Sequence, residues 1–300
     1  MSKHFVPSYV AIGLALFLTG CQSSINSPTP TRLADIHSVS PYLAQCNGDA
    51  DPFKLADAAP ENFAVLGLGS PTNISITGPS RIFGTVANVG VAGSSQFSMS
   101  DGFVRGKLIL SSSASYKITG PSIVKGGIVT NDALLTSAVA CADQASQYYG
   151  GLPATPGTPN VINISNPNGN ITITGNSPLT VVNVTDLILN GGSTVTLTSN
   201  RSARFVINDT GRFVLQGASR IVVAGTVIPS NVLFNVVGPG QDVAMGGGTK
   251  NNVPTSQAYG ILLALERNVS LSPGFVRPEV IGGGAQINIT SGGQVKDLDP

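Results

Sequence analysis

The sequence has no tryptophan, two histidines, three cysteines and only 10% charged residues, with a formal net charge of +1. Each shortage closes a class of function. Nucleic-acid binding rests on clustered Lys and Arg, so a nearly neutral chain is a poor electrostatic match for phosphate. Aromatic residues make up 6% of the chain, and stacking platforms for bases or sugars are correspondingly scarce. His4 falls in the N-terminal leader and His37 stands alone. That leaves no His cluster for zinc or iron and little basis for a Ser-His-Asp or Cys-His nucleophile. Within the β runs the acids Asp101, Asp186, Asp209, Asp242, Glu266 and Glu279 are isolated, and none of them forms an Asp-x-Asp or Asp-Asp pair, whereas glycan-cleaving β-helices need paired carboxylates or an acidic Ca²⁺ cluster. Asp186 and Asp209 are spaced closely enough to one turn to stack beside Arg204 or Arg212, and paired surface charge is the expected meaning. The chain is read as non-enzymatic, without cofactor or metal.

Long apolar runs are absent as well. The longest, Val10 to Leu18, falls short of the roughly 20 residues that span a bilayer. It follows the short polar start Lys3-His4 and closes on Leu18-Thr19-Gly20-Cys21, the anatomy of a cleaved signal. Leu-Thr-Gly-Cys resembles the bacterial lipobox. The resemblance implies a signal peptide over 1–20, lipidation of Cys21 and, with Gln22 rather than Asp next, an outer-membrane address. Residues 21–32 read as a Ser/Pro/Thr tether, and 33–62 as a segment that packs on the body. Cys46 and Cys141 are then the remaining pair. In an exported protein a disulfide between them is expected, closing a loop of roughly 95 residues worth at most about 4 to 5 kcal/mol in the chain-entropy account. Two separate buried thiols are the alternative.

What is abundant is β-favouring sequence. Between Val161 and Val237 the chain reads VINIS, NITIT, LTVVNV, DLILN, TVTLT, ARFVIN, RFVLQ, RIVVA and NVLFNVV, each run ended by Asn, Gly, Ser or Pro. Such runs are strands, and no helical sequence separates them. A sandwich or a solenoid remains. Similar runs occupy Phe63 to Thr130, where Ile76-Thr77-Gly78-Pro79-Ser80 recurs as Ile118-Thr119-Gly120-Pro121-Ser122, an interval of two turns of about 21 residues. Gly and Pro at a strand end make a corner, and a corner repeated at that interval favours the solenoid. One helix over 131–149 interrupts, with Asn131 as N-cap and Leu134, Ala138, Cys141, Ala145 and Tyr148 as its buried stripe; Gly150-Gly151 stops it. The Gly-rich stretch from Gly238 to Gln257 lacks the order of a phosphate loop and reads as a long surface loop.

The order of β block, helix and second β block, together with SNVLFNVVG (Ser230 to Gly238), YGILLALERNVSLSPGFVRPEVIGGG (Tyr259 to Gly284) and INITSGG (Ile287 to Gly293), resembles the bacterial ice-binding-like β-solenoid family and the related choice-of-anchor A surface domains. The likeness spans about Phe63 to Val295. It implies an all-β fold, a right-handed parallel β-helix over 63–295 with the helix alongside, exported and held at the cell surface by the N-terminal lipid. The function expected first is adhesion, as contact with a surface, a matrix polysaccharide or a partner protein through many weak contacts. Ice binding is the second reading and a polysaccharide-active enzyme the third. Ice binding requires hydroxyls ranked in register, and Thr172, Thr174, Thr194, Thr196 and Thr198 are the candidates. Against them, the runs that follow carry almost no Thr, and Arg204, Arg212 and Arg220 intrude.

Overall fold

A computed structural model describes residues 63–297, apart from 70 and 168. The expected leader, tether and packing segment, with Cys21 and Cys46, lie outside the described residues. Within them the chain forms three nine-stranded parallel sheets and a small two-stranded antiparallel one. Alternation dictates this arrangement. Strands such as Asn73–Thr77 (NISIT) and Thr194–Ser199 (TVTLTS) turn every second residue inward, as the pleat requires. The inward rows are Ile, Val, Leu, Phe and Met, among them Ile74, Ile76, Phe97, Met99, Phe213, Phe234 and Met245, all at most 2% exposed.

The corner repeat lies where its interval predicts. Ile76 pairs with Met99, and Met99 with Ile118, so the two copies occupy one corner two coils apart. Gly78 and Gly120 both take φ near +65°, a conformation that a Cβ disfavours. The Ser80 and Ser122 hydroxyls each donate back to the Thr carbonyl three residues earlier, at 2.7 and 2.6 Å.

The coils, however, are not stacked in chain order. Chain order breaks at one junction. The first coil (Phe63–Gly67, Asn73–Thr77, Arg81–Phe83) pairs along all three strands with the last (Val280–Gly282, Gln286–Ile289, Gln294–Lys296), setting Val65 against Val280, Ile74 against Ile287 and Ile82 against Val295. From that seam the N-terminal block runs one way to Ile128–Thr130. The second block starts at the opposite end with Ile162–Ile164 and climbs back to the seam. The physical reason is the sheet edge: end-to-end stacking pairs one open edge of each block, whose N–H and C=O groups otherwise face water.

The helix, α1 (Asp132–Gly150), bridges the two outer ends along one flank. Asn131 Oδ1 accepts from Leu134 N–H at 3.0 Å. Leu135, Ala138, Cys141, Ala142, Ala145 and Tyr149 pack on Phe63, Leu66, Ile109, Val206, Leu233, Ile261 and Ile281. The buried stripe is rotated relative to the one expected, because Leu134 and Tyr148 are only partly buried. Nor does a left-handed glycine close the helix, since Gly151 has φ −81°. The helix still stops at the expected pair, with Gly151 N–H donating to the Gln147 carbonyl at 3.1 Å, and a column of asparagines fastens this end to the solenoid. Asn183, Asn208 and Asn235 stand opposite one another on successive coils and donate to the carbonyls of Leu152, Tyr149 and Ser146 at 3.0, 2.8 and 3.1 Å. They also donate along the column, Asn235 to Asn208 and Asn208 to Asn183, both at 2.9 Å.

The stretch from Gly238 to Gln257 is more structured than a loop. Val243–Gly246 is a strand of the solenoid, and Thr249–Lys250 pairs with Val253–Pro254 as an antiparallel hairpin. Beside it Arg267, 1% exposed, ties corners of neighbouring coils together. Its guanidinium donates to the carbonyls of Gly238, Thr210 and Val237 at 2.8, 2.9 and 2.9 Å, and to that of Gly211.

Candidate functional site

One face of the solenoid is covered by the helix; the other two carry side chains toward water. On the first of these, strands Val269–Ser272, Gln286–Ile289, Asn73–Thr77, Gln96–Ser100 and Ser115–Thr119 lie side by side, across the seam. Their outward positions form two columns. Ser270, Asn288, Ser75, Ser98 and Lys117 face one another in turn. In the second column Thr290 Oγ1 donates to Ser272 Oγ at 2.9 Å, Thr77 faces Ser100 and Ser100 faces Thr119. Beneath them Leu271, Ile289, Ile76 and Met99 fill the core, so the hydroxyls stand on a packed, regular support. Strand geometry sets the lattice, with rows about 4.8 Å apart and same-face residues about 6.6 Å apart along each strand. At its border Gln96 N–H donates to Asn73 Oδ1 at 3.2 Å and Gln286 N–H to Asn268 Oδ1 at 3.0 Å, continuing the polar rank.

The threonines singled out from sequence lie on the third face. Thr172 stands opposite Thr196, Thr174 opposite Thr198, and Asn170 opposite Thr194. The rank stops there, for the next coil presents Arg220, Val222 and Ala224 at the same positions. The hydroxyl columns that span the seam escaped sequence reading. Their signal was present in the alternation NISIT, QFSMS, SYKIT and VSLS, but it assembles only when the last coil is laid on the first.

The acids are arranged for structure. Asp186 Oδ1 lies 3.1 Å from Arg212 Nε on the surface, and this hydrogen bond holds its carboxyl below the usual carboxylate range. Asp209 is 0% exposed and accepts from Gly211 N–H at 2.9 Å; burial pushes its carboxyl up to about 6. Glu279, also buried, is driven well above its ordinary value by desolvation and then by Asp297. Among the described residues, no group of His, Cys, Asp and Glu has the makings of a metal site. Cys141 lies on the buried stripe of α1, 3% exposed.

No known family's sequence profile matches the chain, and no curated protein matches it. Solved structures do. An ice-binding protein from an Antarctic biological consortium superimposes with a TM-score of 0.54 at 20% identity, over 79% of this chain and 88% of that one. An ice-binding protein of an Arctic yeast gives 0.49 at 16% identity, over 83% and 94%. At such identities the first likeness is one of architecture: the chain shares the β-solenoid fold, stacked parallel sheets with one helix alongside, of a solved ice-binding protein.

Proposed function

We propose that the protein binds ice, and that it does so through the hydroxyl columns that cross the seam. This reading moves ahead of the adhesive one. The observation that carries it is the register of Ser270, Asn288, Ser75 and Ser98, closed by Lys117, beside the hydroxyls of Ser272, Thr290, Thr77, Ser100 and Thr119. A crystal lattice offers no pocket to fill, so recognition has to sum many weak, evenly spaced contacts. Hydroxyls held on a rigid sheet have already lost the freedom that binding would otherwise take from them. The consortium protein that shares this architecture is itself an ice-binding protein, which supports the same reading.

Thermal hysteresis of the protein without its leader tests it. A clear freezing gap is expected, sharply reduced in Thr77→Tyr and in Ser98→Tyr, whose bulk lifts the face off the lattice, and retained in Thr196→Tyr. A gap no larger than that of albumin removes the reading, and loss in Thr196→Tyr alone moves the site to the third face.

For the N-terminus we propose lipidation of Cys21 at the outer membrane, and a disulfide from Cys46 to the buried Cys141. Labelled palmitate is expected to enter the wild type but not Cys21→Ala, and non-reducing peptide mapping to recover 46 linked to 141. Equal labelling of both proteins, or separate free thiols, defeats the corresponding half.

A further inference from the structure

We infer a second binding surface, independent of the ice reading: a groove on the third face, in the N-terminal block, that takes an acidic polysaccharide. Strand Arg81–Phe83, strand Phe103–Val104 and strand Ile123–Val124 are neighbours there. Each contributes one exposed cation, namely Arg81, Arg105 and Lys125. The ladder continues through the last two, whose N–H groups donate to Ile82 and Val104 carbonyls at 2.9 Å, so Arg105 and Lys125 stand level on adjacent coils, while Arg81 stands opposite Phe103, two positions earlier along its strand. Among the described residues no ion pair joins any of the three to an acid.

Between the cations lie the half-buried rings of Phe83 and Phe103. The hairpin Thr249–Lys250/Val253–Pro254 makes the opposite wall, and Gln294 Nε2 fastens its tip by donating to Asn252 O at 2.6 Å. The space enclosed is about 580 Å³, lined by Arg81, Phe83, Phe103, Arg105, Lys125 and the hairpin tip.

Like charges on adjacent strands repel and lower stability, and in a chain of net charge +1 they are no consequence of a basic composition. A polyuronate carries one carboxylate per sugar ring and so offers an extended anion to a groove whose cations are spread over three coils. Arg presents a fork that matches a carboxylate, while the apolar faces of pyranose rings fit against Phe83 and Phe103. A polynucleotide suits the groove less well. The cationic patch is short, the remaining surface supplies no wider field, and the rings are only half exposed, which leaves no room to stack both faces of a base.

Binding of the leader-free protein to polygalacturonate, dextran and single-stranded oligo-dT, at low and at high salt, tests this. Polygalacturonate is expected to bind, to weaken as salt rises, and to weaken by roughly tenfold or more when Arg81, Arg105 and Lys125 are all changed to Ala. Dextran is expected to stay unbound. The same triple variant is expected to keep its circular dichroism and its freezing gap, if the parent shows one, since the hydroxyl columns lie on another face. Undetectable polygalacturonate binding, unchanged affinity in the triple variant, equal binding of dextran or tighter binding of oligo-dT each overturns the assignment.

Discussion

A buried carboxylate records its environment in the pH dependence of stability, and Asp209 is the clearest case. Once unfolded, the group gives up its proton near the ordinary Asp value; in the native protein it holds the proton until about pH 6. The unfolded state therefore binds fewer protons between those limits, and stability falls as pH rises through them. The contribution is fully present below about pH 4 and is lost by about pH 6, a change of up to about 3 kcal/mol. Glu279, whose carboxyl is also raised by burial, acts in the same direction. Urea midpoints are thus expected to drop from pH 4 to pH 7, and Asp209→Asn to remove most of the part between 4 and 6. An unchanged slope in the variant contradicts the assignment. None of this was visible in sequence, where Asp209 looked like one more isolated acid that could pair with Arg212. The partner of Arg212 is Asp186, and Asp209 lies inside because Phe205, Ile207 and Asp209 share the inward side of one strand.

At the scale of elements, the strands, the corners and the helix alongside them were largely legible, and the way the end of that helix is held was not. Short β-branched runs and the Ile-Thr-Gly-Pro-Ser corner carry local information, since alternation and positive φ are properties of a few consecutive residues. The helix end is different. Carbonyls of its last turn and of Leu152 just beyond accept from Asn235, Asn208 and Asn183, which belong to separate coils of the second block and meet only after stacking. Asn208 is the middle rung, bonded to Tyr149 O and to both neighbouring asparagines. Asn208→Ala removes one hydrogen bond from each of those buried groups, and a loss of about 1 to 3 kcal/mol is expected in chemical denaturation. A loss indistinguishable from that of a surface Asn would mean that α1 is held by its apolar stripe alone. The rotation of that stripe has the same origin as the ladder: the sheet surface decides which side of a nearly uniform Ala-rich helix turns inward, and Leu135 and Tyr149 win over Leu134 and Tyr148.

For the whole molecule the decisive feature is the order of the coils. A solenoid read in chain order puts the threonines of 172–198 at the centre of attention and leaves 73–119 and 269–290 far apart. Joining the last coil to the first makes those distant segments neighbours and brings their Ser and Thr side chains into shared columns. Parallel pairing between remote segments has no signature in local pattern, which is why the hydroxyl face was hidden although each of its strands was recognisable. The claim that this face meets ice is tested most directly by growing a single ice crystal in fluorescently labelled protein lacking residues 1–20 and reading which planes take up the label. The wild type is predicted to coat defined planes and Ser98→Tyr to leave the crystal dark; a dark crystal with the wild type, or equal uptake of both proteins, contradicts the account.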